Sequence, residues 1–415
     1  MLAHWPDEYK ILQVGLLHFS AVRDVPWRIL PTRSISNDSG DKVSDKNDMI
    51  GHVSIPEAIQ MFEPDLVFLF NDPQILLAQL KYIPSTLRTI VYATFDGLPV
   101  PPEYVLLSRV HKLVTMSHFS KRAYLEGTGA SPESISVVYA PADVERFHPV
   151  TDDERSAMRL DLLPAWMPRD GNVFLCGWVG RNQWRKQLWI MFEVMKLLRY
   201  GEYLECDACF TARSLTSSGD FCRHCGASQS RKAQGIPNVY LWMHMPTGKE
   251  EGDWMLEDLE TYYGIFPGRD LYYTLGCDRR THIPCEQMPQ LYQIWDCLLF
   301  LSGGEGFGVP AWEAACCGIP VVFSDYSSHA EFLSEGHAGL PVKGILQPEM
   351  RSSIMRYVSD VYMAVDSVRS LMKNRAASGA LGLNGRRYAE RFNLNAIVNQ
   401  WHSIFQDVSK LSLSH

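Results

Sequence analysis

Residues 301–325, LSGGEGFGVPAWEAACCGIPVVFSD, hold two carboxylates, Glu305 and Glu313, on either side of a glycine-rich turn. Two acids so spaced can work as an acid–base pair, hold one ligand together, or stand apart as solvated charges. The turn bears on the choice. Four glycines within residues 303–308 interrupt the apolar run LLFLS and let a ligand come close to the backbone. Pro310 suits the first helical position and Gly318 the position just past a helix end, so a short helix should follow. A strand, a glycine turn and a helix start aim free N–H groups and the positive end of a helix dipole at one spot, which favours phosphate. Carboxylates beside that spot can accept hydrogen bonds from paired hydroxyls, as sugars and riboses present.

A second cluster lies upstream in GWVGRNQWRKQ (177–187), again strand, glycine and helix start, now with Arg181, Arg185 and Lys186. Cations at a helix N-terminus oppose the helix dipole. They fit better where an anion is to sit among them, although pairing with surface acids also accounts for them. Together the clusters outline a nucleotide-sugar site: cations for a diphosphate, carboxylates for hydroxyls.

A third group stands in CDACFTARSLTSSGDFCRHC, where Cys206 and Cys209 form one C-x2-C hook and Cys222 and Cys225 another. Paired hooks of this kind are a structural zinc signature. Disulfides or redox-active thiols are the alternative. Four thiolate ligands leave no open position for a catalytic water, so the metal is expected to be structural. The surrounding residues are too polar to build a core, and metal ligation would supply the missing folding energy. Arg213, Arg223, His224, Arg231 and Lys232 make this segment locally basic, which raises nucleic acid as a partner beside a purely structural role.

These groups need elements to position them. Short apolar runs alternate with helical patterns along most of the chain, which predicts parallel α/β layers. YKILQVGLL (9–17), PDLVFLF (64–70), RTIVYATF (88–95), KLVTMS (112–117) and SISVVYA (134–140) are strand candidates in the first half. NVFLCGWVG (172–180), NVYLWMHM (238–245), DCLLFLS (296–302) and IPVVFSD (319–325) follow in the second. Leu188, Met191, Phe192, Met195 and Leu198 have helical spacing, and the polar, cysteine-bearing residues 201–236 then delay the next strand as an insertion. The expected division is an N-terminal domain over 1–165, a C-terminal domain over 166–390 containing the insertion, and a C-terminal helix over 391–415 packing back on the first domain.

The chain has 415 residues, 46% hydrophobic and 21% charged, with a formal net charge of −8. That length favours two domains. No overall basic excess announces a nucleic-acid binder. No apolar run reaches the ~20 residues that span a bilayer, and the N-terminus does not read as a signal peptide. A cytoplasmic, reduced protein is expected, with peripheral membrane contact left open.

At these motifs the chain resembles the retaining glycosyltransferases of family four. Their Glu, seven residues, Glu pattern is matched by EGFGVPAWE, and their GR…K by Arg181 and Lys186. Residues 116–149 and 283–308 are also similar to family segments. The resemblance implies an α/β GT-B fold, two Rossmann-like doubly wound domains facing a central cleft, plus the small zinc-binding insertion. It implies that Arg181 and Lys186 bind the donor diphosphate. Glu305, with the N–H groups of Gly306, Phe307 and Gly308, would hold the transferred hexose-type sugar, and Glu313 the ribose hydroxyls. No catalytic metal is expected at the donor. Two positions depart from the family's pattern. The usual glycine-rich loop after the first strand is reduced to Gly15, kept as a donor-side residue. Where some members carry a histidine, this chain has Asp96, a candidate for orienting a hydroxyl or accepting the acceptor's proton, or simply a cap for the turn. His118 reads as a structural loop residue. The acceptor stays open among glycan, lipid, nucleic-acid base and protein, and a non-catalytic nucleotide-sugar-binding protein is the competing class.

Overall fold

β-Branched and aromatic runs become strands, and the segments between them become helices. The structure is a computed structural model that describes residues 9–15, 27–31, 48, 50–169, 171–215, 221–222, 224–248, 252–275, 283–349 and 353–411. Arg223, one of the insertion's basic residues, lies outside them. The chain divides into two units, residues 1–141 with 394–415, and residues 142–393. The change therefore falls at Pro141, earlier than the 165 expected from sequence. Helix Asp152–Leu162 lies in the second unit, where its Arg159 donates to the carbonyl of Ile294 at 2.8 Å.

In the first unit, β1 (Leu12–Gly15) pairs in parallel with β2 (Arg28–Pro31) as a separate two-stranded sheet. The main sheet is parallel, in the order β3 (Leu66–Asn71), β4 (Arg88–Ala93), β5 (Lys112–Thr115), β6 (Ile135–Val137). Helices α1 (Ser54–Phe62), α2 (Pro73–Leu80) and α3 (His118–Thr128) connect the strands. His118 opens α3 behind the cap Ser117, whose hydroxyl accepts from the Ser120 amide.

The second unit begins with α4 (Asp152–Leu162), followed by β7 (Phe174–Val179) and α5 (Leu188–Tyr200). All five apolar residues read as the α5 stripe are fully buried. The insertion then supplies β8 (Leu204–Cys206), β9 (Ala212–Arg213) and β10 (Ser230–Lys232), a small antiparallel sheet in the order β10-β8-β9. Next come β11 (Val239–His244), α6 (Leu256–Tyr263), β12 (Leu271–Tyr273), α7 (Met288–Ile294), β13 (Cys297–Phe300), α8 (Val309–Cys316), β14 (Val321–Ser324), α9 (Ser327–Glu335) and β15 (Gly339–Val342). An antiparallel pair, β16 (Gly344–Pro348) and β17 (Met355–Ser359), precedes α10 (Val361–Lys373) and α11 (Arg375–Ala389).

The large sheet here is parallel throughout, ordered β12-β11-β7-β13-β14-β15. Counted within the unit this is 3-2-1-4-5-6, the doubly wound order. The strand order reverses between β7 and β13, and ligands of such sheets bind beyond the carboxyl ends of the strands at that point. The two adjacent strands are held tightly: a Cβ on Gly177 would lie 2.0 Å from the indole of Trp295.

The amphipathic tail forms α12 (Leu394–Lys410), which belongs to the first unit. Its buried Trp401 meets Phe68 edge-on at 5.1 Å and Tyr92 at 4.9 Å. Among the described residues no helix is long and apolar enough to cross a membrane.

Candidate functional site

The turn after β13 and the segment after β7 meet at the switch point. Gly303 donates its amide to the carbonyl of Arg185 at 2.7 Å. A Cβ at Gly303 would come within 2.9 Å of Gln187 and 3.2 Å of that carbonyl, so the absence of a side chain permits the approach. Gln187 itself has a left-handed backbone, φ 47°, which ends the short turn Trp184–Lys186 and lets α5 begin.

This contact delivers two cations to one acid. Arg185 Nη1 lies 2.6 Å from Glu305 Oε2 and donates to the Gly304 carbonyl at 2.8 Å. Lys186 Nζ pairs with Glu305 Oε1 and lies 5.3 Å from the Phe300 ring centroid. Both Lys186 and Glu305 are buried. Burial alone would raise the Glu305 pKa, but Arg185 and Lys186 overcome it and hold the carboxyl well below its usual range. Glu305 is therefore a charged acceptor at neutral pH.

Behind it, the Ser327 hydroxyl accepts from the Glu305 amide at 3.0 Å and meets His329 Nδ1 at 3.1 Å. Burial pushes His329 down to about 4, so its ring is neutral and serves as an uncharged prop. Ser327 and His329 carry no motif in the sequence. Only the placement of α9 beside the turn reveals them.

Gly306 follows Glu305, and the Phe307 side chain is buried against Phe332 and Trp312. Gly308 caps α8 with φ 103°, and a Cβ there would lie 2.8 Å from the His329 Cβ. Gly308→Ala should thus cost about 1–3 kcal/mol, since backbone strain adds to the clash. A urea midpoint equal to that of the unaltered chain would contradict this.

Glu313 lies one turn into α8, partly buried, and accepts from Tyr292 Oη at 2.6 Å. Burial raises its pKa to about 7; Asp143 adds to this, while Tyr292 and Arg146 oppose it. The unfolded carboxyl titrates near 4.5, so the folded chain holds the extra proton and stability falls as pH rises from about 4.5 to 7. Glu313→Gln should therefore raise unfolding free energy by about 1–3 kcal/mol at pH 8 and by nothing below pH 4.5. Denaturant titrations at the two pH values check it; a gain independent of pH would refute the assignment.

Arg181 is exposed, and among the described residues its side chain joins no ion pair. The cation that touches Glu305 beside Lys186 is Arg185, a member of the cluster to which the resemblance gives no role. Next to Arg181, Asn182 holds Trp254 through two hydrogen bonds of 2.8 and 3.0 Å, and Trp184 stacks on Trp254 with centroids 4.3 Å apart. Gly15 and Asp96 lie in the other unit. Gly15 ends β1 opposite Pro31, and Asp96, partly buried, follows β4.

In the insertion the metal-binding atoms of Cys206, Cys209, Cys222 and Cys225 lie within 4.8 Å of one another. Cys206 and Cys225 sulfurs are 3.6 Å apart, and Cys209 and Cys222 sulfurs 3.5 Å. These are too long for disulfides and close to the edge of a tetrahedron with metal–sulfur bonds of about 2.3 Å. The hooks fold alike. Phe210 N donates to Cys206 O at 2.9 Å and Gly226 N to Cys222 O at 2.8 Å; Cys206 N donates to Thr211 O at 3.1 Å and Cys222 N to Ala227 O at 2.7 Å. The residue after each second cysteine has positive φ, 61° at Phe210 and 76° at Gly226. The module is tied to α10: Asp366 accepts from the Ala212 amide at 2.9 Å, and Arg369 pairs with Glu205.

Known structures share this architecture. Sucrose-phosphate synthase from Thermosynechococcus elongatus superposes with a TM-score of 0.66 at 15% identity, covering 97% of this chain and 89% of that one. The Anabaena protein HepE in complex with UDP and glucose gives 0.61 at 15% identity, over 93% and 87%. The fold is GT-B. Within this GT-B chain, residues 281–376, which contain the glycine turn and both glutamates, match the family Glycosyl transferases group 1. The O-antigen chain mannosyltransferase B of Escherichia coli is 42% identical over 59 residues, 14% of this chain. The D-inositol 3-phosphate glycosyltransferase of Corynebacterium efficiens is 25% identical over 145 residues, 34% of this chain. These alignments span 15% and 31% of the two relatives' own lengths.

Proposed function

We propose that the chain is a retaining glycosyltransferase that moves a hexose-type sugar from a nucleotide-diphosphate sugar to an acceptor hydroxyl. The observation that carries this is the meeting of Lys186, Arg185 and Glu305 at the switch point of a GT-B unit, beside a glycine turn and a helix start. The match of residues 281–376 to group 1 glycosyltransferases supports it, as does HepE, which binds UDP and glucose on the same fold.

In this reading Arg181 and Lys186 bind the diphosphate and stabilise the charge that grows on the departing nucleotide, usually the largest catalytic contribution. Glu305, fixed by Arg185 and Ser327, accepts hydrogen bonds from sugar hydroxyls, and the Gly306, Phe307 and Gly308 amides support the same sugar. Glu313 accepts from the ribose. Attack on the face from which the leaving group departs gives retention, and a leaving phosphate oxygen takes the acceptor's proton. The cations do the work of a donor metal. Asp96 is proposed to orient a hydroxyl or accept the acceptor's proton, and Gly15 to contribute to donor binding.

The four thiolates fit zinc, which would brace the insertion as a structural ion. The insertion's basic side chains suit it for docking an acceptor, and the chain is assigned to the cytoplasm.

Incubation with a panel of nucleotide sugars, read by thermal shift and then by NMR of the product, tests the function. A stabilising donor and an anomeric configuration preserved in the product are expected. An inverted product would defeat retention, and a panel without any stabilising member would defeat the donor class.

A further inference from the structure

The opposite ends of the same strands carry a second concentration of charge. Asp296 stands just before β13, buried, and three arginines converge on it. Arg159 lies 2.7 Å from one carboxylate oxygen, and Arg155 and Arg375 lie 3.2 and 2.6 Å from the other. The Leu175 amide adds a hydrogen bond of 2.6 Å. One carboxylate cannot balance three guanidinium groups.

These residues line a cavity of about 590 Å³ that Arg169 and Asp152 also border. Among its charged lining residues are four arginines and two aspartates, an excess of two positive charges. Part of the cluster is structural, since Arg159 also donates to the Ile294 carbonyl at 2.8 Å. Arg155 likewise donates to the Trp295 carbonyl and Arg169 to the Leu163 carbonyl at 3.1 Å, yet these bonds leave donors of the cluster unused. The Nε of Arg155 is buried without a hydrogen-bond partner, while Arg169 and Arg375 are exposed at the rim. Burial lowers the Arg155 pKa and the nearby Arg159 and Arg375 lower it further, against the pull of Asp296. Gly171 and Gly379 have open space where a side chain would point.

The volume suits a small ligand, and guanidinium forks match phosphate oxygens better than any other side chain does. The cavity lies at the amino ends of β7, β13 and β14, about 20 Å along the strands from Glu305. It is separate from the donor site.

We propose that this cavity binds a small phosphate-bearing molecule, whose oxyanion sits between Arg155, Arg169 and Arg375 and supplies the charge that Asp296 leaves unmatched.

Inorganic pyrophosphate is the probe, titrated calorimetrically in phosphate-free buffer. It is applied to Lys186→Ala protein, in which the donor site is weakened, and to the same protein with Arg169→Glu and Arg375→Glu added. Arg375 also pairs with buried Asp296 at 2.6 Å, so circular dichroism and thermal unfolding accompany each variant, and Arg169→Glu alone, at an exposed position, must weaken binding too. The first protein should bind, and the charge reversals should weaken binding by about tenfold or more. In the unaltered chain the same reversals should remove one binding equivalent. Vesicles containing phosphatidic acid are run alongside: binding to either probe that depends on Arg169 and Arg375 supports the site and tells a soluble ligand from a headgroup. Equal pyrophosphate binding with and without the reversals, or none to the Lys186→Ala protein and no loss in the unaltered chain, overturns it.

Discussion

Lys186→Ala should lower sugar-transfer turnover by about two to three orders of magnitude. The ammonium is buried, so its field acts in a medium where it is screened little. In the proposed reaction it faces the diphosphate as negative charge accumulates there, and an alanine supplies nothing in its place. The fold should hold, because Arg185 stays 2.6 Å from Glu305 and keeps that buried carboxylate paired. Breaking every partner of a buried charge is costly, whereas removing one of two leaves it compensated. Circular dichroism and turnover measured on one preparation separate the two effects. Unchanged turnover in a folded variant would remove the diphosphate role.

The second large effect concerns the cysteines. Cys209→Ser should abolish stoichiometric zinc and destabilise the chain by about 4 kcal/mol or more, as loss of a structural metal commonly does. The insertion is not an ornament that could unravel without consequence. Tyr203, Ala212 and Ala233 are buried in the core of the second unit, and the Arg369 guanidinium lies 5.6 Å from the Tyr203 ring centroid. Elemental analysis with thermal unfolding checks this. A variant with full zinc content, or a chain whose midpoint is indifferent to chelator, would rule out a structural metal.

Local patterns were the legible part of the sequence. The alternation of apolar runs and helices announced the parallel sheets, and the cysteine hooks announced a cluster because each hook is a short-range object. Glu305 could be picked out because its glycines break a strand visibly. What escaped notice depends on register between distant strands. Arg185 reaches Glu305 because Gly303 bonds to its carbonyl, a pairing of segments more than a hundred residues apart that no local pattern encodes. Ser327 and His329 support the turn from α9 without any motif. Nothing local to Asp296 shows that three arginines from α4 and α11 meet it. The apolar run at 9–17 marks a strand but not its sheet: among the described residues β1 pairs only with β2.

The proposed reaction needs a diphosphate cradle in the C-terminal unit. Calorimetric titration of UDP, GDP and ADP into the unaltered chain and into Lys186→Ala tests it most directly. At least one of them should bind one-to-one, and the variant should bind it about tenfold or more weaker, or about 1.4 kcal/mol. Equal affinity in both proteins, or no binding of any of the three to the unaltered chain, would contradict it.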